Sequence, residues 1–123
     1  MADEKITING IEYIRADMAT PEVPADQMDG MKYVMVRTFS AGVFCGYLKE
    51  RHGQEVVLLK ARRIWYWEGA ATLSQLAQQG TKKPDKCKFP CEVDEVLLLD
   101  AVEISQMTER AKKSIAEVPV WGA

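Results

Sequence analysis

A chain of 123 residues is long enough for one domain with a modest core and too short for two. Its 47% hydrophobic and 28% charged content fits an ordinary globular protein. A net charge of −2 and a pI near 5.5 argue against a broad nucleic-acid or anionic-membrane surface, and no apolar run approaches the ~20 residues that span a bilayer.

The opening Met1-Ala2-Asp3-Glu4-Lys5 lacks the basic-then-apolar layout of a signal peptide, so a cytoplasmic location is expected. Residues 4–9 alternate, with Ile6 and Ile8 on one face. Asn9-Gly10 signals a type I′ turn, and residues 11–14 read as the return strand of an N-terminal hairpin over 4–14. Pro21 and Pro24 among polar residues mark 15–30 as a long connection to a main body over 31–123. A strand over 31–38 follows, with Val34 and Val36 facing one way and Tyr33, Met35 and Arg37 the other. Ser40-Ala41-Gly42 turns the chain into a strand over 43–49, inside which Gly46 marks a bulge or a close backbone approach. After a turn at His52-Gly53, strands over 55–59 and 61–67 complete an antiparallel meander.

Helical periodicity begins only after Trp67. Residues 70–79 place Leu73, Leu76 and Ala77 on one face and stop at Gly80. A basic loop over 81–90 carries Lys82, Lys83, Lys86 and Lys88. Residues 93–104 read as one long, central strand because of the apolar run 96–99. Thr108 is placed to cap a last helix over 109–115 that carries Arg110, Lys112 and Lys113. The apolar tail Val118-Pro119-Val120-Trp121 is expected to dock on the body or on a partner subunit. The expected fold class is therefore α+β, a single domain built from an antiparallel β-sheet meander followed by two short C-terminal helices.

The stretch Arg62-Arg63-Ile64-Trp65-Tyr66-Trp67 carries the most chemistry. On a strand, Arg63, Trp65 and Trp67 share one face and Arg62, Ile64 and Tyr66 the other. Guanidinium groups beside indole rings can grip a flat anion, the ring stacking on a base and the cation meeting phosphate. In the competing reading the rings fill a core and the arginines extend to water. Phe89 is open to both readings in the same way, and Arg37 is a further cationic candidate.

Catalytic and metal chemistry find little support. The three cysteines and His52 are the only Cys or His residues, and only Cys87 and Cys91 are close in sequence, so reduced structural cysteines and no metal are expected. His52 sits at a turn among charged neighbours, and no nucleophile elbow, phosphate loop or zinc-protease helix occurs. Glu92, Asp94 and Glu95 read as the solvent edge of a strand. The expectation is a binding protein that is not an enzyme and carries no cofactor.

The phrases Tyr33-Val34-Met35-Val36-Arg37-Thr38-Phe39-Ser40-Ala41-Gly42-Val43-Phe44, Ala61-Arg62-Arg63-Ile64-Trp65-Tyr66-Trp67-Glu68-Gly69-Ala70-Ala71 and Lys83-Pro84-Asp85-Lys86-Cys87-Lys88-Phe89 resemble small proteins of bacteriophage and prophage genomes. Within that group the chain resembles the Thoeris anti-defence sponge family over residues 31–122. The resemblance implies an antiparallel sheet followed by two C-terminal helices and no chemistry. It implies sequestration of cyclic ADP-ribose isomers in pockets at a dimer interface, in a bacterial host cytoplasm. Some members form hexamers with further sites for cyclic oligonucleotides. The family pocket uses aromatic stacking on adenine and Arg contacts to phosphate, including one Arg of the last helix, which Arg110 matches by position.

The candidate ligand contacts are thus Arg62, Arg63, Trp65, Phe89, Arg110 and Arg37, with a cyclic nucleotide as ligand and a homo-oligomer, dimer or hexamer, as the assembly. A phage structural or assembly accessory protein would equally explain a β-rich chain without catalytic groups. A single-strand nucleic-acid binder using the 81–90 loop is the weakest reading, given the acidic pI.

Overall fold

The computed structural model describes residues 23–122, so the hairpin expected over 4–14 and the start of the connection lie outside the described residues. Five strands form one antiparallel sheet: β1 (Tyr33–Thr38), β2 (Val43–His52), β3 (Glu55–Ile64), β4 (Val93–Leu98) and β5 (Ala101–Gln106). Their spatial order is β4-β3-β2-β1-β5. Two helices, α1 (Leu73–Gln79) and α2 (Glu109–Ala116), lie in the C-terminal half of the chain, and the fold class is α+β. No described helix is long and apolar enough to cross a membrane.

The single strand expected over 93–104 is in fact two, and neither is central. Leu99 and Asp100 separate β4 from β5, which occupy opposite edges of the sheet. Four inter-strand spacings would put those edges ~19 Å apart in a flat sheet. The three Cα steps from Leu98 to Ala101 reach only ~11 Å, so the sheet must curl until its two edges meet at this end. Three backbone N–H groups hold the junction: Phe39 N donates to Asp100 O (3.0 Å), Ala101 N to Gln54 O (3.0 Å) and Ser40 N to the Asp100 carboxylate (3.1 Å). The apolar run hides this break because the outward-facing Leu97 and Leu99 remain exposed.

The curl creates two cores. Inside it, Val34, Val36, Phe44, Val56, Leu58, Ala61, Leu98 and Ala101 pack together. On the opposite face, Tyr33, Met35, Cys45, Tyr47 and Ile64 meet Leu76 and Ala77 of α1, Ala111 and Ile115 of α2, and Phe89. The alternation anticipated for β1 is what feeds both clusters, Val34 and Val36 inward and Tyr33 and Met35 toward the helices.

The strands expected over 55–59 and 61–67 are one strand, β3, interrupted by a β-bulge. The register passes from Tyr47↔Leu59 to Cys45↔Arg62, so Gly46 stands opposite two residues, and Lys60 takes φ 51°. Gly46 is required here, because a Cβ would sit 2.9 Å from Leu59 O and 3.1 Å from Ala61 Cα. The extra residue reverses the facing of everything after it. Val56 and Leu58 point into the curl before the bulge, and Ala61 does so after it, leaving Arg62 and Ile64 on the helix-covered face. The strand ends at Ile64, so Trp65 to Trp67 do not extend its alternation.

Both helices begin at threonine caps. Thr72 accepts from Gln75 N at 3.1 Å and Thr108 accepts from Ala111 N at 3.1 Å, while the Thr108 hydroxyl donates to Gln78 O at 2.7 Å and ties the two helices together. Gly80 ends α1 with φ 76°, packed against Ser114 of α2.

Candidate functional site

Arg62 is the most highly engaged side chain among the described residues. The bulge turns it under α2, and it is only 7% exposed. Its Nε donates to Pro90 O (3.0 Å), Nη1 to Ile115 O (2.8 Å), and Nη2 to Val118 O (2.8 Å), Phe89 O (3.1 Å) and Pro119 O (3.3 Å). Ile115 O belongs to the last turn of α2, where it also accepts from Val118 N at 3.1 Å and where a cation is favoured. Arg62 thus staples the end of α2 and the tail to the sheet. Its Cζ lies 5.5 Å from the centroid of the Phe89 ring, which is wholly buried. Arg62 and Phe89 belong to the interior, and neither faces the Trp65 cleft.

The other sequence candidates separate. Arg37 pairs with Glu103 at 2.9 Å where β1 meets β5, both exposed. Arg110 is exposed on α2 and is engaged there. Arg63 and Trp65, by contrast, line one cleft of about 330 Å³ with the Ser40-Ala41-Gly42 turn. Arg63, half-buried, donates one bond, Nη1 to Ala41 O at 2.6 Å, and its Cζ lies 4.4 Å from the Phe44 ring centroid. Its remaining N–H groups have no acceptor among the described residues, so they are available to an anion.

Trp65 is 62% exposed and parallel to Trp121, with ring centroids 6.4 Å apart and planes 8° from each other. Three extended segments hold this pair. Tyr66 N donates to Lys88 O (3.2 Å), Lys88 N to Tyr66 O (2.8 Å), and Trp121 N to Phe89 O (3.0 Å). Consequently Lys88 Nζ sits 5.6 Å from the Tyr66 ring and 5.7 Å from the Trp121 ring. Tyr66 donates its hydroxyl to Glu68 at 2.8 Å, which raises its pKa. The exposed result is two indoles and a phenol with an ammonium at their edge, next to the Arg63 cleft. Trp67 points elsewhere, half-buried, with Nε1 donating to Ala70 O at 3.1 Å.

The sequence places Trp121 in an apolar docking tail and Lys88 in a basic loop, and only the apolar tail signals that they join Trp65. Among the described residues no group of three or more His, Cys, Asp or Glu gathers to hold a metal. Cys45 and Cys87 are buried and Cys91 is exposed, all three free.

A family model, the domain of unknown function DUF6948, matches residues 31–115. The chain belongs to this family. Its matched span runs from just before β1 to the last turn of α2, so it covers the whole curled sheet and both helices but stops short of Trp121. Searches of curated proteins and of solved structures found no match.

Proposed function

We propose that this DUF6948 protein captures a small cyclic nucleotide, a cyclic ADP-ribose isomer or a cyclic oligonucleotide, and holds it unchanged as a phage anti-defence sponge. The reading is carried by one observation: an arginine with uncommitted donors and a largely exposed indole line the same cleft. Trp65 and Trp121 supply faces for a purine, and Arg63 and Lys88 supply charge for two phosphates. One stacked base and one or two charge-assisted bonds contribute ~1–3 kcal/mol each. Those gains must exceed the ligand's lost freedom. A second copy of the chain closing over the platform would exclude water and strengthen the electrostatics, which fits a homo-oligomer, dimer or hexamer.

The test is retention. Purified protein is incubated with cyclic ADP-ribose isomers and with cyclic di- and trinucleotides, washed, and heated. Release of intact ligand supports the proposal, release of a cleaved product points to an enzyme, and absence of ligand rejects sequestration. A second reading rests on the same patch: Trp65, Tyr66, Val120 and Trp121 are all exposed and apolar, as a subunit of a larger phage assembly would require. That reading predicts stable association with phage particles and no bound nucleotide.

A further inference from the structure

On the opposite side of Arg62 lies a second cleft, between α2 and the helix-facing side of the sheet. Its volume is about 430 Å³, and its lining includes Tyr33, Tyr47, Lys60, Arg62, Glu92 and Lys112. Three cations thus stand against one carboxylate, although the chain as a whole is acidic.

Lys112 is the centre of this cleft. Thr108 caps α2 and Ala111 and Ile115 bury one stripe of it, so Lys112 flanks that stripe and reaches down over the sheet. The side chain is half-buried, and its ammonium lies 5.2 Å from the Tyr33 ring and 5.0 Å from the Tyr47 ring. These two rings are register partners on β1 and β2 and pack edge to face at 5.0 Å. Lys112 Nζ donates to the Tyr47 hydroxyl at 2.6 Å. No carboxylate among the described residues lies within ion-pairing distance of it.

Two groups in the cleft therefore have unspent capacity. The ammonium has a phenol and two ring faces but no counter-ion. Tyr47, only 9% exposed, accepts from Lys112, and its own O–H finds no acceptor among the described residues. That O–H lines the cleft, so an arriving acceptor would take the place of water on it. Lys60 adds a second ammonium from the bulge, where its φ of 51° departs from the strand conformation. Arg62 contributes mainly charge, since five carbonyls hold its Nε and Nη2 and one of the two Nη1 N–H groups. The Tyr33 and Tyr47 rings are covered by Lys112 and buried, so no ring face is offered for stacking.

We infer that this cleft binds a compact tetrahedral dianion, inorganic phosphate or a phosphomonoester group, through Lys112, Lys60 and the Tyr47 hydroxyl. The exposed Glu92 is its competitor at the rim, near enough for its charge to act on both Tyr33 and Cys45. This site meets the indole patch at Val120 but shares none of its cations or indoles, and it stands whether or not a nucleotide binds there.

The test is calorimetric titration of the full chain with inorganic phosphate against chloride at matched ionic strength, followed by the same titration with a simple phosphomonoester. Lys112→Met keeps an apolar stem over the rings while removing the charge, and should weaken phosphate at least tenfold. Tyr47→Phe removes only the donor and should weaken it severalfold, and this variant serves if Lys112→Met fails to fold. Glu92→Gln should tighten binding severalfold. Lys49→Met, exposed on β2 and lining neither cleft, should bind phosphate as the unaltered protein does. The inference is overturned if phosphate shows no affinity beyond chloride. It is overturned equally if both cleft variants bind normally, or if Lys49→Met loses binding as they are expected to.

Discussion

Replacing Arg62 with Met separates a structural role from a ligand role. The substitution keeps much of the aliphatic stem and removes five hydrogen bonds from a side chain that is 7% exposed. The three shortest, at 2.8, 2.8 and 3.0 Å, are charge-assisted; Ile115 O keeps a bond from Val118 N, while Pro90 O and Val118 O lose their guanidinium donors. At ~1–1.5 kcal/mol for each of these three, with smaller losses at the longer pair, the cost comes to roughly 3–5 kcal/mol, in the range for breaking a buried charged network. At ~3–6 °C per kcal/mol for a chain of this length, the melting temperature falls by roughly 10 °C or more. Urea unfolding followed by tryptophan fluorescence measures this directly, with an unchanged slope confirming that stability alone has moved. Arg62→Lys keeps the charge but not the planar fork, and should lie between the two. A loss below ~1 kcal/mol in Arg62→Met would refute the staple and return Arg62 to the list of ligand groups.

Trp65→Ala should leave stability within ~1 kcal/mol, because the ring is 62% exposed, yet weaken nucleotide retention at least tenfold through the lost stacking, read by equilibrium dialysis. Gly46→Ala should cost ~1–3 kcal/mol in denaturant unfolding, since the new methyl would meet backbone atoms 2.9 and 3.1 Å away across the bulge. Alkaline pH should destabilise the fold. Burial raises the Tyr33 phenol and pushes the Cys45 thiol up to about 12, so the unfolded chain releases these protons first. Their stabilisation is complete below the ordinary thiol value near ~8.5 and is lost as pH climbs toward the folded values, by up to ~1.4 kcal/mol per pH unit for each group. Urea midpoints at about pH 8 and 10.5 test this; equal midpoints would contradict it, and Cys45→Val should delay the onset toward the phenol range.

The sequence carried the fold well where local chemistry is decisive. Thr108, Gly80 and Gly46 each announced their role, because a cap, a left-handed helix end and a bulge all demand particular residue types. It failed where the answer depends on distant partners. The run 96–99 is apolar throughout, so nothing local marks the break at Asp100, which is fixed by Ser40, Phe39 and Gln54. Arg62 and Arg63 look equivalent as adjacent letters. The one extra residue at Lys60 decides which is sealed inside and which reaches a cleft. Trp121 could be matched to Trp65 only through the backbone pairing of 66 with 88 and 89 with 120. The Lys112–Tyr47 contact spans 65 residues and left no trace in the periodicity of α2.

The platform's three plies are drawn from widely separated parts of the chain, near residues 66, 88 and 121. During synthesis the sheet strands and Arg62 are all present once β5 has emerged, while the indole pair has to wait for the tail that Arg62 fastens. The proposed binding surface is thus the last part of the molecule to exist, and a chain clipped before Trp121 would lack half of it.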